Sequence, residues 1–300
     1  MNAFLQRLGF AADDRVVIIH ADDIGMCQAT LPAIADLFDA ELVSSASTMV
    51  PCAWFPETAR FCREHPAIDM GIHLTLTSEM GPLRWGPIST RDPASGMLDD
   101  EGYFYRSTAD MQAHGAVPFV MAEVEAQISR ALAAGIDATH VDSHMGTVFH
   151  PAYIHHYVKT SLQAQLPSFV PRIDNWLLHQ PGISASDIAA YEAFFAAIAP
   201  HNLPIVDHIV MMPLDRHADR VATAQHLFDT LPAGLSYFIL HPAIDTPELR
   251  AVSPDWRCRA ADYQAFCDAG LRRYVRDQGV QVIGWRVIRD ELRRARGNHE

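Results

Sequence analysis

Val16-Val17-Ile18-Ile19-His20-Ala21-Asp22-Asp23-Ile24-Gly25 is the stretch whose reading decides the fold. Its four leading residues are β-branched and apolar without alternation, as in a strand covered on both faces of a parallel sheet. Asp22-Asp23 and Gly25 stop the run, and 28–38 reads as a helix. The same unit then recurs. Strands are predicted at 44–50, 68–74, 138–142, 169–173, 205–211, 236–240 and 280–283. Helices are predicted at 56–64, 119–134, 153–165, 185–198, 218–231, 260–276 and 286–296. Alternating strands and helices imply a parallel α/β sheet. Seven or eight such units favour a distorted (β/α) TIM-like barrel over an open sheet.

One region breaks the rhythm. Residues 77–118, after the third strand, are rich in Gly, Pro, Asp and Ser, with Trp85, Tyr103, Phe104 and Tyr105 interspersed. A long irregular segment at a strand end reads as a lid or substrate-binding loop. No repeat, low-complexity tract or linker composition interrupts the chain, so 1–300 is expected to be a single domain with an insertion at about 77–118.

The 300 residues carry a formal charge of -13, with 49% hydrophobic and 20% charged residues. The acidic balance argues against nucleic acid or an anionic membrane as partner, since both reward clustered Lys and Arg. Cys27, Cys52, Cys62, Cys258 and Cys267 are scattered and odd in number, which reads as reduced thiols rather than a disulfide framework or zinc knuckle. There is no signal-peptide pattern and no apolar run of about 18 residues, so a cytoplasmic protein without a membrane span is expected. A homodimer is the base-rate expectation.

Three predicted strands end in metal-ligand types: Asp22-Asp23, then His73, then Asp142-Ser143-His144. In a parallel barrel all strand C-termini open on one face, so residues distant in sequence meet there. Two imidazoles and a carboxylate would hold a divalent cation and leave positions open for water and substrate. One of the paired aspartates could bind metal while the other stays free as a base. His140 competes with His144, and His144 is preferred because it lies nearer the strand's exit. His241, at the end of strand 236–240, could protonate a leaving amine or steady an oxyanion. Arg172 and Asp174, after strand 169–173, could pair at the same rim. No Gly-rich dinucleotide turn follows a strand, which argues against an oxidoreductase.

In this order the motifs resemble the YdjC-like carbohydrate deacetylases, a family that includes chitooligosaccharide and hopanoid-biosynthesis deacetylases. The resemblance runs through His20-Ala21-Asp22-Asp23-Ile24-Gly25, Gly71-Ile72-His73-Leu74-Thr75, Thr139-His140-Val141-Asp142-Ser143-His144 and His241-Pro242-Ala243, and includes Arg257. It implies a distorted (β/α) barrel that removes an N-acetyl group from an amino sugar or oligosaccharide. It makes Asp23, His73 and His144 the metal ligands and Asp22 the general base, with His241 as the partner acid. Asp142, Arg172, Asp174 and Arg257 are the expected substrate-binding residues. Magnesium is the metal implied by resemblance, while the donor set suits zinc equally well. The chain departs from the family pattern at Met145-Gly146-Thr147-Val148-Phe149-His150, where many members continue with further histidines, and Ile24 replaces the usual Phe. Two alternatives accompany this expectation: a metal-dependent hydrolase of another amide or ester, and a non-catalytic sugar-binding relative.

Overall fold

A computed structural model of the chain describes residues 2–172 and 184–297. Its strands are β1 (Arg15–Ile24), β2 (Ser45–Thr48), β3 (Met70–Leu74), β4 (Val141–Ser143), β5 (Val170–Pro171), β6 (Ile205–Val206), β7 (His208–Met211), β8 (Gly234–Leu240) and β9 (Gln281–Val282). All the strand pairings are parallel, in the order β4-β3-β2-β1-β8-β7, with β5 paired to β6. The two groups join into a ring. Val141 bridges Ser168 just before β5, and β6 runs into β7 through Asp207, whose amide donates to Leu235 of β8. The closure beside β4 is a single bridge, so the barrel is distorted there. The expected strand 205–211 is thus one stave broken at Asp207.

β1 is the central stave because its run of Val and Ile is covered on both sides. Val16 through Ile19 are all essentially inaccessible. Along one edge β1 pairs over seven residues with β8; along the other it meets β9 at Val16 and Val17 and β2 from His20 onward. Helices between strands pack outside the ring, as the right-handed crossover of parallel strands requires. The predicted helix 260–276 is two helices, Trp256–Phe266 and Ala269–Asp277. Asp268 caps the second by accepting from the Leu271 amide.

The barrel interior holds an unusual share of polar groups. His20, Ser45, Ser47, His73, His140 and Asp142 are all buried, and Tyr237 stacks on His20. Trp285 closes this column, its ring stacked on His140 at 4.9 Å. Buried polar groups persist where they find partners, and most of these do.

Residues 77–118 are packed rather than open. Leu98 and Phe104 form an antiparallel bridge, and Thr108–His114 is a helix. Arg84 is paired with Asp99 and Glu101, and the buried Glu123 carboxylate accepts the Ile88 and Ser89 amides. Trp85, Met97, Phe104 and Met111 join the core.

Candidate metal centre

The end of β1 explains how two adjacent carboxylates come to face one cleft. In a regular strand neighbours point to opposite faces. Here Ala21 pairs with Ala46 but Ile24 with Thr48, so β1 has one residue more than β2 over this span. The bulge contains Asp22 and Asp23. Asp23 adopts φ 65°, a left-handed conformation that Asp tolerates better than most residues. Both side chains therefore line the same cleft. His73 is the penultimate residue of β3, and His144 and His241 immediately follow β4 and β8.

One candidate ligand atom from each of Asp23, His73 and His144 lies within 4.8 Å of the others, and all three residues are buried. Asp23 Oδ1 lies 3.4 Å from His73 Nε2 and 3.1 Å from His144 Nδ1, yet it is buried without a hydrogen bond in suitable geometry. An orphaned carboxylate oxygen facing two imidazole nitrogens is an arrangement that a cation would complete. The other nitrogen of each ring is tied to a carboxylate: His73 Nδ1 to Asp142 Oδ1 at 2.9 Å, and His144 Nε2 to Glu79 Oε1 at 2.8 Å. Such outer partners fix the ring's orientation and leave its remaining nitrogen for a metal. Burial alone would raise the Asp23 carboxyl. Arg259, whose Nη1 lies 2.8 Å from Asp23 Oδ2, and His144 hold it well below the usual carboxylate range.

Two further groups, His20 with His140 and Asp142, and Asp22 with His73 and Asp142, also bring one ligand atom each within 4.8 Å of the others. Both depend on Asp142, which lies below the cleft and already accepts from Ser47 and Tyr237 at 2.9 and 3.0 Å. The set with Asp23 and His144 is the one that a ligand in the cleft can reach.

The cleft has a volume of ≈ 980 Å³. Asp22, Asp23, Glu79, His144, His241 and Arg259 line it together with the apolar Met80, Phe149, Phe169, Met211 and Trp256. Asp22 Oδ2 lies 3.8 Å from His241 Nε2 and 3.9 Å from His73 Nε2. Burial pushes the His241 imidazole below its ordinary value, although Asp23 and Asp22 oppose that shift.

Several expected residues lie elsewhere. Asp142 does not face the cleft; it supports His73 from beneath. Arg172 pairs with Asp207, whose other oxygen accepts the Leu235 amide, level with Val16 at the start of β1. That ion pair draws the guanidinium away from the rim. Asp174 lies outside the described residues. Arg257 is exposed, its guanidinium 4.3 Å from the Trp256 ring centroid, and the arginine that pairs with Asp23 is Arg259. Arg259 shares a helix face with the buried Asp262 and Phe266, so helical periodicity was the signal for it. Glu79 and His20 were also missed. The aromatics of the long segment do not line the cleft: Trp85 and Phe104 are buried and Tyr105 stacks on His114. Only Glu79, Met80, Gly81 and Pro82 of that segment reach it.

The family model described as YdjC-like protein matches residues 16–277. A carbohydrate deacetylase of Thermus thermophilus is 30% identical over 96% of this chain and 98% of its own length. A carbohydrate deacetylase of Listeria welshimeri is 30% identical over 91% and 99%, and one of Thermoanaerobacter pseudethanolicus is 20% identical over 92% and 100%. Among solved structures, a cellobiose-phosphate cleavage protein of Enterococcus faecalis superposes with a TM-score of 0.73 at 19% identity, over 91% of this chain and 98% of that one, and so shares the fold.

Proposed function

The chain belongs to the YdjC-like family, and from that premise we propose that it is a metal-dependent carbohydrate deacetylase that hydrolyses the acetamide of an N-acetylated amino sugar. The convergence of Asp23, His73 and His144, two of which line a cleft together with Asp22 and His241, is the observation that carries this reading. The names of the full-length relatives support it.

Asp23, His73 and His144 would hold a divalent cation, which would supply Lewis acidity to the hydrolysis. The chain's own residues supply the proton transfers. Hydrolysis adds water across the C–N bond. Asp22 takes the proton that water releases on attacking the carbonyl carbon. His241 gives a proton to the nitrogen as the C–N bond breaks, leaving acetate and a free amine. Burial weakens the hold of His241 on its proton, which makes it a readier donor once charged. Arg259 keeps Asp23 ionised, as a ligand must be.

The test is metal analysis combined with acetate release, run against a panel of N-acetylated sugars and other acyl amides with magnesium and with zinc. Acetate release from amino sugars that depends on one of these ions is expected. Asp22→Asn should lower turnover by about 10²- to 10⁴-fold with unchanged metal content. Preferential turnover of another amide or an ester would replace the reading, and full activity of Asp22→Asn would remove Asp22 as the base.

A further inference from the structure

His20 lies directly beneath the base, wholly buried and outside the proposed ligand set. It shares a face of β1 with Asp22, two residues on. Its Nε2 lies 3.2 Å from Asp22 Oδ1, 3.1 Å from Asp142 Oδ2 and 3.0 Å from Ser47 Oγ. Its Nδ1 lies 3.1 Å from Ser45 Oγ. Each hydroxyl has a carboxylate within donating distance. Ser45 donates to Asp69 Oδ1 at 3.3 Å, and Ser47 donates to Asp142 Oδ2 at 2.9 Å. Ser45 Oγ is then free to accept from Nδ1, while Nε2 confronts two carboxylates that can only accept. With the hydroxyls donating to those carboxylates, both ring nitrogens would carry protons, making the ring a cation between Asp22 and Asp142. Its remaining neighbours agree with that charge. Tyr237 stacks on it at 4.8 Å, and His140 meets it edge-on at 5.0 Å, its own imidazole lowered chiefly by burial.

Resting on the deacetylase reading, we propose that His20 is a positioning residue, a buried cationic clamp whose Nε2 ties Asp22 to Asp142 and leaves Asp22 Oδ2 aimed into the cleft. Two observations make the clamp specific. Asp22 Oδ1 is buried without a well-aligned hydrogen bond, and His20 Nε2 at 3.2 Å is nearer to this carboxylate than His241 or His73, which lie 3.8 and 3.9 Å from Oδ2. Asp142 also holds His73 at 2.9 Å, so the clamp links the base to a proposed ligand through a single carboxylate. Burial by itself would drive the proton off His20; Asp142 and Asp22 reverse that and raise the group above its ordinary value.

The experiment uses the full chain loaded with magnesium or zinc, and compares His20→Met, which keeps bulk, with His20→Gln, whose amide can restore a donor near Nε2. On the N-acetyl sugar best hydrolysed by the wild type, His20→Met should lose about 10- to 100-fold in kcat at unchanged KM and metal content. His20→Gln should recover most of that loss. Equal activity of His20→Met and wild type, or no recovery in His20→Gln, overturns the proposal. A second readout needs no turnover. In the ¹⁵N-histidine-labelled protein both His20 nitrogens should resonate as protonated, and Asp22→Asn should shift the Nε2 signal. A neutral ring, or an Nε2 signal indifferent to Asp22→Asn, overturns the clamp even if no acetate is ever released. Absence of acetate release with both nitrogens protonated and the shift present would instead overturn the functional reading alone.

Discussion

Asp23 Oδ2 and Arg259 Nη1 lie 2.8 Å apart, and both side chains are almost fully buried. Arg259 is also held by Asp255, one helical turn earlier. Removing one member of a buried pair strands the other charge in a poorly solvated place, at a cost of ~3–5 kcal/mol. Arg259→Met should therefore destabilise the metal-free protein by about that amount, measured by denaturant unfolding. The loss should shrink when a divalent ion is added, because a cation at Asp23 takes over part of the compensation. Equal losses with and without metal would separate Arg259 from the centre. At the same scale, Glu79 shows how one distant residue orients a candidate ligand: its carboxylate occupies His144 Nε2 and leaves Nδ1 toward Asp23.

Among the elements, β3 depends on a residue without a side chain. A Cβ at Gly71 would lie 2.2 Å from the His140 ring, whose other face stacks on Trp285. The ring cannot retreat, because Trp285 is itself fully buried. Gly71→Ala should cost at least ~1–3 kcal/mol, as overpacking of a dense core does. Thermal unfolding checks this, and a stability equal to wild type would mean that the polar column repacks freely. Strand and helix alternation was legible in the sequence because each β-branched run and each amphipathic stretch reports its own burial locally. The broken stave at Asp207 and the split at Asp268 were not. Both are imposed by single side chains that capture backbone amides, of Leu235 and Leu271 respectively.

For the whole molecule, titration of the scaffold and any binding at the proposed centre are equilibria linked to folding. Burial would raise the Asp207 carboxyl, but the Leu235 amide, Asn2 and Arg172 hold it below its ordinary value. A carboxyl that titrates lower when folded contributes fully above about pH 4, its unfolded value, and that contribution is lost as pH falls through the folded value. Asp207→Asn should thus flatten the acid limb of stability below about pH 4 and lower the plateau above it, as read by unfolding at a series of pH values. A divalent ion that binds only the folded chain stabilises it by ~2.7 kcal/mol at a concentration 100 times its Kd. Tm should rise on adding the ion and fall again with a chelator. A chelator-insensitive Tm in a chain that retains no metal would argue against the centre.

The amino-acid sequence by itself determined the parallel barrel and the rim on which its chemistry gathers. Burial periodicity is a local property, and every strand in such a ring ends on the same side. It therefore also offered Asp22, Asp23, His73, His144 and His241 as candidates, each within the last residues of a strand or immediately after it. Only the tertiary structure decided which cation serves Asp23, since Arg257 and Arg259 are alike in composition and differ only in the helix face they occupy. It alone turned Asp142 inward as a support, drew Arg172 to Asp207, and brought Glu79 to His144 across 65 residues of chain. Those outcomes depend on distances between elements, and strand register and ring closure set such distances only when the whole chain is folded.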